Sequence, residues 1–172
     1  MSEEHIVSSV TVAMEIEAPK DKAFAVSADH FQLPRWAHPV QAVRMKDGRQ
    51  EVDYLLPDGV VTCPSVGRTD AELGTADWTV ELPKGGPLKV FSRVLALGEA
   101  RSVFMLTLLS PPMPRRRIKD AYMVVQKNLL KDLEKFKEIV EQGKPSPGPQ
   151  PKNLAPSEPP AAKKPKKAKK TA

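Results

Sequence analysis

The sequence predicts an α+β fold in which one antiparallel sheet of seven strands packs against a long C-terminal helix. Three observations carry this prediction. Apolar and polar residues alternate with a period of two near the N-terminus and again in six consecutive segments between residues 40 and 110. Two short helical segments separate the first strand from the other six. A single amphipathic pattern with a helical period follows, before a tail rich in lysine and proline.

The first predicted strand covers residues 6–16, where apolar side chains alternate with threonine and glutamate, as in a strand with one buried face. Pro19 ends this strand and suits the first position of a helix, so we expect a short helix over residues 19–28. The segment HFQLPRW at 30–36 predicts a second short helical turn, because Pro39 prevents a longer helix.

Six further strands are predicted between residues 40 and 110, as an antiparallel meander. Asp-Gly pairs at 47–48 and 58–59 lie between alternating apolar runs, which is a strong signal for a β-hairpin. We also predict a bulge in the sheet at Gly67. Further turns are predicted at the glycines at positions 74, 85 and 98.

A long amphipathic helical segment is predicted over residues 115–142, because its apolar residues recur at spacings of four and three along one face. The three cations at 115–117 would oppose the helix dipole, so we expect the helix itself to begin at Ile118. Gly143 occupies the position typical of a glycine that terminates a helix, and Pro145 follows it. Such a helix is about 36 Å long and can span the sheet. Because one helix cannot fill the concave face of a strongly curved sheet, the arrangement predicts a cavity between helix and sheet.

The C-terminal segment differs in composition from the rest of the chain. Residues 143–172 contain eight prolines, eight lysines, one acid (Glu158) and no aromatic residue. Such a segment buries too little apolar surface to offset its ordering entropy, so we expect a disordered basic tail after a domain over residues 1–142. The tail carries a charge of +7, and the whole chain carries +6, so residues 1–142 carry −1. Any attraction to nucleic acid or anionic lipid therefore belongs first to the tail.

Several functional classes are excluded by the residues that the chain lacks. The lone Cys63 rules out an internal disulfide and a cysteine-based metal cluster. The three histidines lack metal-ligand spacing, and no nucleophile elbow, Walker loop or dinucleotide fingerprint is present, so we expect no metal and no cofactor. His30 or His38 acts either as a general base at the cavity mouth or in a capping or surface role. With no apolar run of about 18 residues and no secretion signal, we expect a cytoplasmic protein.

Two segments resemble a known superfamily. The segment VAMEIEAPKDKAFAVSADHFQLPRWAHPVQAVRMKDG at 12–48 resembles bacterial polyketide cyclase/dehydrase-like members of the START-like, or SRPBCC, superfamily. The lysine-rich stretch NLLKDLEKFKEIVE at 128–141 is similar to the end of the long helix in those proteins. The resemblance covers residues 6–142 and implies the helix-grip fold, in which a curved sheet wraps around the C-terminal helix. It also implies a cavity that takes an apolar or amphipathic ligand.

Strand parity and side-chain chemistry select the candidate cavity residues. Tyr54 shares a strand face with Val52 and Leu56, so Asp53 points away. The parity of Arg93 is ambiguous, and it is either a polar anchor for a ligand or a surface residue. Methionine adapts to irregular ligands, and tyrosine and tryptophan add a polar tip to an apolar body. The candidate lining is Met14, Trp36, Tyr54, Trp78, Phe91, Arg93, Met105 and Tyr122, with ordinary core packing as the alternative for each.

Three functions remain open. The first is binding of a hydrophobic small molecule or lipid, for transport, sensing or sequestration. The second is a cyclase or dehydratase, for which the sequence names no catalytic residue. The third is weak, non-specific nucleic-acid association through the tail, against a merely solubilising role. The tail residues concerned are Lys163, Lys164, Lys166, Lys167, Lys169 and Lys170.

Overall fold

The structure is a computed structural model and describes residues 4–143. Within that range the strands are β1 (His5–Ile6), β2 (Ser9–Ile16), β3 (Val40–Lys46), β4 (Arg49–Leu56), β5 (Gly59–Asp70), β6 (Thr75–Leu82), β7 (Gly86–Ala96), β8 (Ser102–Leu109) and β9 (Met113–Pro114). The helices are α1 (Lys20–Ala28), α2 (Leu33–Trp36) and α3 (Ile118–Gln142), with 3₁₀ turns at His30–Gln32 and Arg115–Arg117.

Seven of these strands form one antiparallel sheet in the order β2-β8-β7-β6-β5-β4-β3. Strands β3 to β8 form a meander of consecutive hairpins, and β2 joins the far edge beside β8. Asp47 and Gly48 both have positive φ (50° and 75°), as a two-residue turn between twisted strands requires. The predicted α+β fold, with its seven-stranded sheet, two short helices and long terminal helix, is confirmed.

The N-terminal strand is interrupted, although the sequence pattern predicts one continuous strand. Ser8 and Ser110 bind each other at the break, since the Ser110 backbone N–H donates to the Ser8 carbonyl at 2.9 Å. Beyond it, His5 pairs with Pro114 and Ile6 with Met113 in a separate two-stranded ribbon, β1-β9. The chain therefore joins the large sheet only at Ser9, and the residues before it pair with the segment that leads into α3.

The predicted bulge at Gly67 is wrong, because the register of β5 with β6 runs without a shift from Ser65 to Asp70. The glycine instead makes room for a side chain from the 3₁₀ turn. A Cβ atom built on Gly67 would lie 1.5 Å from Cε1 of His30, so the imidazole rests directly on the strand. The register does shift in β3, between Val40 and Ala42.

Helix α3 begins at Ile118, as the sequence predicts, and Arg115–Arg117 form a 3₁₀ turn before it. It ends at Gly143, whose φ of 61° lies in the left-handed region that favours glycine. Phe136 of α3 stacks on Phe104 of β8 with ring centroids 3.8 Å apart, and Trp36 packs edge-on against both rings. These aromatic contacts fix α3 and α2 on one face of the sheet.

The inner face of the sheet is the one that α3 and α2 cover, and we call the opposite one the outer face. No helix within residues 4–143 is long and apolar enough to span a membrane. The tail prediction falls almost entirely on residues 144–172, which lie outside the described range.

Candidate functional site

A pocket of about 480 Å³ lies between the first half of α3 and the inner face of the sheet. Leu108 of β8 and Leu56 of β4 both line it, although four interstrand steps separate their strands in the sheet. In a flat sheet these strands would lie roughly 19 Å apart, so the sheet curls around the pocket. Val125 and Leu129 of α3 form the opposite wall. The other lining residues are His38, Pro39, Tyr54, Leu55, Pro57, Asn128 and Asp132.

Among residues 4–143, Asp132 is the one acidic residue that lines this pocket, and only 3% of its surface is exposed. The helical period places it beside Leu129 and Phe136, on the face of α3 that packs against the sheet. Its Oδ1 accepts a hydrogen bond of 2.9 Å from the backbone N–H of His38. Burial raises the pKa of the Asp132 carboxyl, and that hydrogen bond and the charges of His38 and Lys135 lower it by less. The net pKa is about 6. The carboxyl group therefore exchanges its proton close to neutral pH.

Tyr54 faces the same end of the pocket from β4. Burial, together with the nearby negative charge of Asp132, raises the pKa of its phenol well above the usual value. The phenol is therefore neutral at physiological pH and retains a proton that it can donate to a ligand. Tyr54, Asn128 and Asp132 place a phenol, an amide and a carboxyl group close together in a pocket whose remaining lining, apart from His38, consists of leucine, valine and proline.

A second cavity of about 270 Å³ adjoins this polar end. It shares His38, Asn128 and Asp132 with the main pocket. Its remaining lining residues are Lys131 and Lys135, which are both exposed on α3. The combined site therefore changes from apolar walls inside to two ammonium groups at the surface.

The structure places the predicted lining residues in four different surroundings. Tyr54 lines the pocket. Trp36, Trp78 and Met14 lie on the inner side as well, but they pack within the core and not among the residues that line the pocket. Trp36 is buried with its indole Nε1 left without a hydrogen-bond partner in the described chain.

Phe91, Arg93 and Met105 do not line the pocket. Val90, Ser92 and Val94 of β7 are buried against the inner side, so the alternate residues Phe91 and Arg93 lie on the outer face. Arg93 and Met105 are paired across β7 and β8, and therefore share that face.

Arg93 and Tyr122 have other surroundings. The Arg93 guanidinium pairs with the carboxylate of Asp77 on the outer face, which makes it a surface residue. Tyr122 is 37% exposed and lines a shallow groove beside Ile6 and Arg115 at the start of α3. It too lies away from the pocket.

Sequence reasoning missed Asp132 and Asn128. A signal for Asp132 is present, because it lies three residues after Leu129 and four before Phe136, on the apolar face of α3. An acid at such a position is either costly or functional. His38, considered as a base at the cavity mouth, does lie at the pocket, where its backbone binds Asp132. His30 instead packs over Gly67 with its Nε2 buried and unpartnered in the described chain, and burial lowers its pKa.

No family model and no curated protein matches the sequence. Solved structures do match the fold. The Zhui aromatase/cyclase from a Streptomyces species has a TM-score of 0.66 and 17% identity, over 80% of this chain and 95% of that one. A START superfamily protein from Mycobacterium smegmatis has a TM-score of 0.64 and 12% identity, over 82% of this chain and 100% of that one. The di-domain ARO/CYC protein BexL has a TM-score of 0.65 and 16% identity, over 78% of this chain and 46% of that one.

At these identities the similarity establishes the architecture and not the activity. This chain has a curled seven-stranded sheet, a long helix that the sheet wraps and a pocket between the two. The chain therefore has the helix-grip fold of START-like proteins.

Proposed function

We propose that the pocket binds a small amphipathic molecule, with its apolar body against α3 and the curled sheet and its polar end at Tyr54, Asn128 and Asp132. The observation that carries this proposal is the distribution of polar groups in the pocket lining. Asn128 and Asp132 also border the adjoining cavity, and the phenol of Tyr54 lies close enough to Asp132 to be affected by its charge. Leucine, valine and proline make up most of the remaining lining. Each methylene group that a ligand buries there contributes about 0.8 kcal/mol to binding. The polar end then fixes its orientation.

The fold supports a ligand-binding or cyclase-type function at this coarse level. The similar structures include aromatase/cyclases and a START superfamily protein. The resemblance of residues 6–142 to START-like proteins implies a cavity between helix and sheet, and the pocket of this chain lies in that position.

The proposal is tested with a neutral solvatochromic dye, Nile red, and a pair of variants on α3. Val125 lines the pocket, while its neighbour Val124 is exposed on the other side of the helix. We expect Val125→Trp to fill the pocket and weaken dye binding by about tenfold or more, equivalent to at least 1.4 kcal/mol. Val124→Trp adds the same indole outside the pocket and should leave the affinity unchanged. Absence of dye binding by the unaltered chain, or equal loss in both variants, would contradict the proposal.

A second candidate function is acid-base catalysis on the bound molecule, of the cyclase or dehydratase type. The observation that favours it is the pairing of a carboxyl whose pKa is about 6 with a neutral phenol in one pocket. A general base works best when its pKa is close to the working pH. Asp132 would remove a proton from the carbon next to a carbonyl group, while Tyr54 donates a hydrogen bond to the carbonyl oxygen on which negative charge develops. As the carbon–carbon double bond forms, the bond to the β-hydroxyl group would break, and the protonated Asp132 would return its proton to the departing hydroxide, which leaves as water.

This second function is tested with a β-hydroxy ketone, whose dehydration produces an absorbing enone. We expect Asp132→Asn to abolish turnover while leaving Nile red affinity intact, because the amide keeps the shape but cannot accept the proton. Tyr54→Phe should reduce turnover by about a hundredfold, as expected for the loss of one donor to a developing oxyanion. Turnover that persists in Asp132→Asn would remove Asp132 from the reaction.

A further inference from the structure

The second cavity, which adjoins the pocket, carries two lysines that the proposed binding of an apolar body does not use. We call this cavity the outer cavity and the pocket between α3 and the sheet the inner pocket. Lys131 and Lys135 are one turn apart on α3 and line this cavity together with His38, Asn128 and Asp132. Three of those five residues also line the inner pocket, so a molecule held in the pocket has its polar end beside both ammonium groups.

Neither ammonium group is neutralised by a salt bridge within residues 4–143. Some other cations of the domain are paired: Lys137, farther along the same helix, contacts Glu141 at 2.6 Å, and Arg101 contacts Glu15 at 2.6 Å. The carboxyl group nearest to the two lysines in the cavity is Asp132, which is buried and already accepts the backbone N–H of His38. The cavity therefore presents positive charge at the end of an apolar pocket.

We propose that the ligand of this site is an amphipathic anion, whose carboxylate, phosphate or sulfate group lies between Lys131 and Lys135 while its apolar part fills the inner pocket. This inference rests on the proposed binding function and names the chemical class of the ligand. Lysine is a compact positive charge that suits an anionic group of any of these shapes.

The carboxyl group of Asp132 is compatible with an anion at this position. The charged and titratable groups that face it are His38, which follows α2, Lys135 on α3 and Tyr54 on β4. An arriving anion adds negative charge to an already buried carboxyl, so Asp132 takes up a proton and becomes a hydrogen-bond donor. Its raised pKa of about 6 means that this proton costs little near neutral pH.

The inference is tested on the full chain with three ligands that share a ten-carbon chain, each kept below its micelle concentration. Decyl sulfate carries a permanent negative charge, decanol is neutral and decyltrimethylammonium carries a positive charge. We expect decyl sulfate to displace Nile red at about fivefold lower concentration than decanol, which corresponds to two exposed ion pairs. The ammonium compound should bind most weakly.

Matched variants assign this preference to the outer cavity. In Lys131→Gln/Lys135→Gln we expect decyl sulfate and decanol to bind equally, with the affinity for decanol unchanged. Lys127→Gln removes an exposed lysine of the same helix that lines neither cavity, and should keep the fivefold preference. The lysines after residue 143 are the same in every variant, so their contribution cancels in the comparison.

Each outcome separates this inference from the proposed function. Equal affinities for decanol and decyl sulfate in the unaltered chain would overturn the inference and leave amphipath binding in place. A preference for sulfate that survives in the double variant would also overturn it, since the anion would then bind elsewhere. No binding by any of the three ligands would contradict both proposals.

Discussion

At the scale of single residues, Asp132 determines the chemistry of the pocket. An ionised carboxyl group is costly to bury, and this one is compensated only in part by the backbone N–H of His38. Binding sites are where proteins retain groups of this kind, because a perturbed carboxyl can take or give a proton near neutral pH. Such a residue lowers the stability of the fold and, in the proposed function, binds the polar end of the ligand.

The cost of Asp132 predicts a dependence of stability on pH. Its pKa rises from 3.8 to about 6 on folding, so its contribution to stability is complete below pH 3.8 and is lost as the pH rises to 6. Two pKa units correspond to roughly 3 kcal/mol. We expect the free energy of unfolding of Asp132→Asn, relative to the unaltered chain, to increase by about this amount between pH 4 and pH 7.

Urea unfolding at the two pH values measures this difference directly. The asparagine retains an oxygen that accepts the His38 N–H, so the comparison isolates the charge. A difference between the two proteins that is the same at pH 4 and pH 7 would show that the carboxyl has an ordinary pKa in the folded state.

Gly67 is required because the imidazole of His30 packs directly on it, and not because of its own backbone conformation. A methyl group at this position would overlap the imidazole of His30. We expect Gly67→Ala to destabilise the fold by about 1–3 kcal/mol through overpacking. In a His30→Ala background the same substitution should be neutral or stabilising, because alanine has less conformational entropy to lose than glycine. Chemical unfolding of the four proteins of this cycle gives the coupling, and additive effects would refute the contact.

The two residue-scale features differ in how far the sequence predicts them. Asp132 leaves a signal, namely an acid on the apolar face of a helix, since Leu129 and Phe136 are its neighbours on that face. The contact of His30 with Gly67 joins residues 37 positions apart in the chain and leaves no local pattern. Without knowledge of the side chain that packs on it, a glycine in a strand predicts a bulge.

At the scale of the elements, periodicity predicts which face is buried only where the other face is polar. In β4 and β6, Asp53 and Asp77 mark the outer face, and Tyr54 and Trp78 are placed on the inner one. Strand β7 carries Phe91 and Leu95 on its outer face, so both of its faces read as apolar and the parity of Arg93 stays undecided. The register of β7 with β8 resolves it.

The outer position of Arg93 predicts that its side chain is irrelevant to ligand binding. Arg93→Ala removes the ion pair with Asp77, which is partly exposed and contributes at most about 1 kcal/mol. We expect Nile red affinity to be unchanged and the melting temperature to fall only slightly. A loss of affinity that exceeds this small loss of stability would place Arg93 in the site.

At the scale of the whole molecule, the order of elements predicts the architecture, because six consecutive antiparallel strands and one long helix have few ways to pack. The pocket itself follows from curvature, which brings Leu108 and Leu56 together from strands four positions apart. Sequence patterns carry no measure of that curl. They therefore predict a cavity but not the residues that line it.

The basic tail remains a prediction at this scale, since residues 144–172 lie outside the described range. Truncation after Gly143 removes the six clustered lysines at 163–170, and we expect Nile red affinity to be retained within about twofold, a difference below 0.5 kcal/mol. If the tail binds duplex DNA, the full chain should do so with a steep salt dependence that the truncated chain lacks. Equal DNA binding by both would show that the tail has no part in it.

In the proposed function, a ligand occupies the pocket between α3 and the inner face of the sheet. Methyl groups of leucine and valine report this directly in a ¹H–¹³C NMR titration of the full chain with decanol. We expect shifts confined to the methyl groups of the lining residues Leu55, Leu56, Leu108, Val125 and Leu129, with Leu95 and Val66 on the outer face unmoved. Shifts at the outer face, or none at the lining methyl groups at saturating ligand, would contradict it.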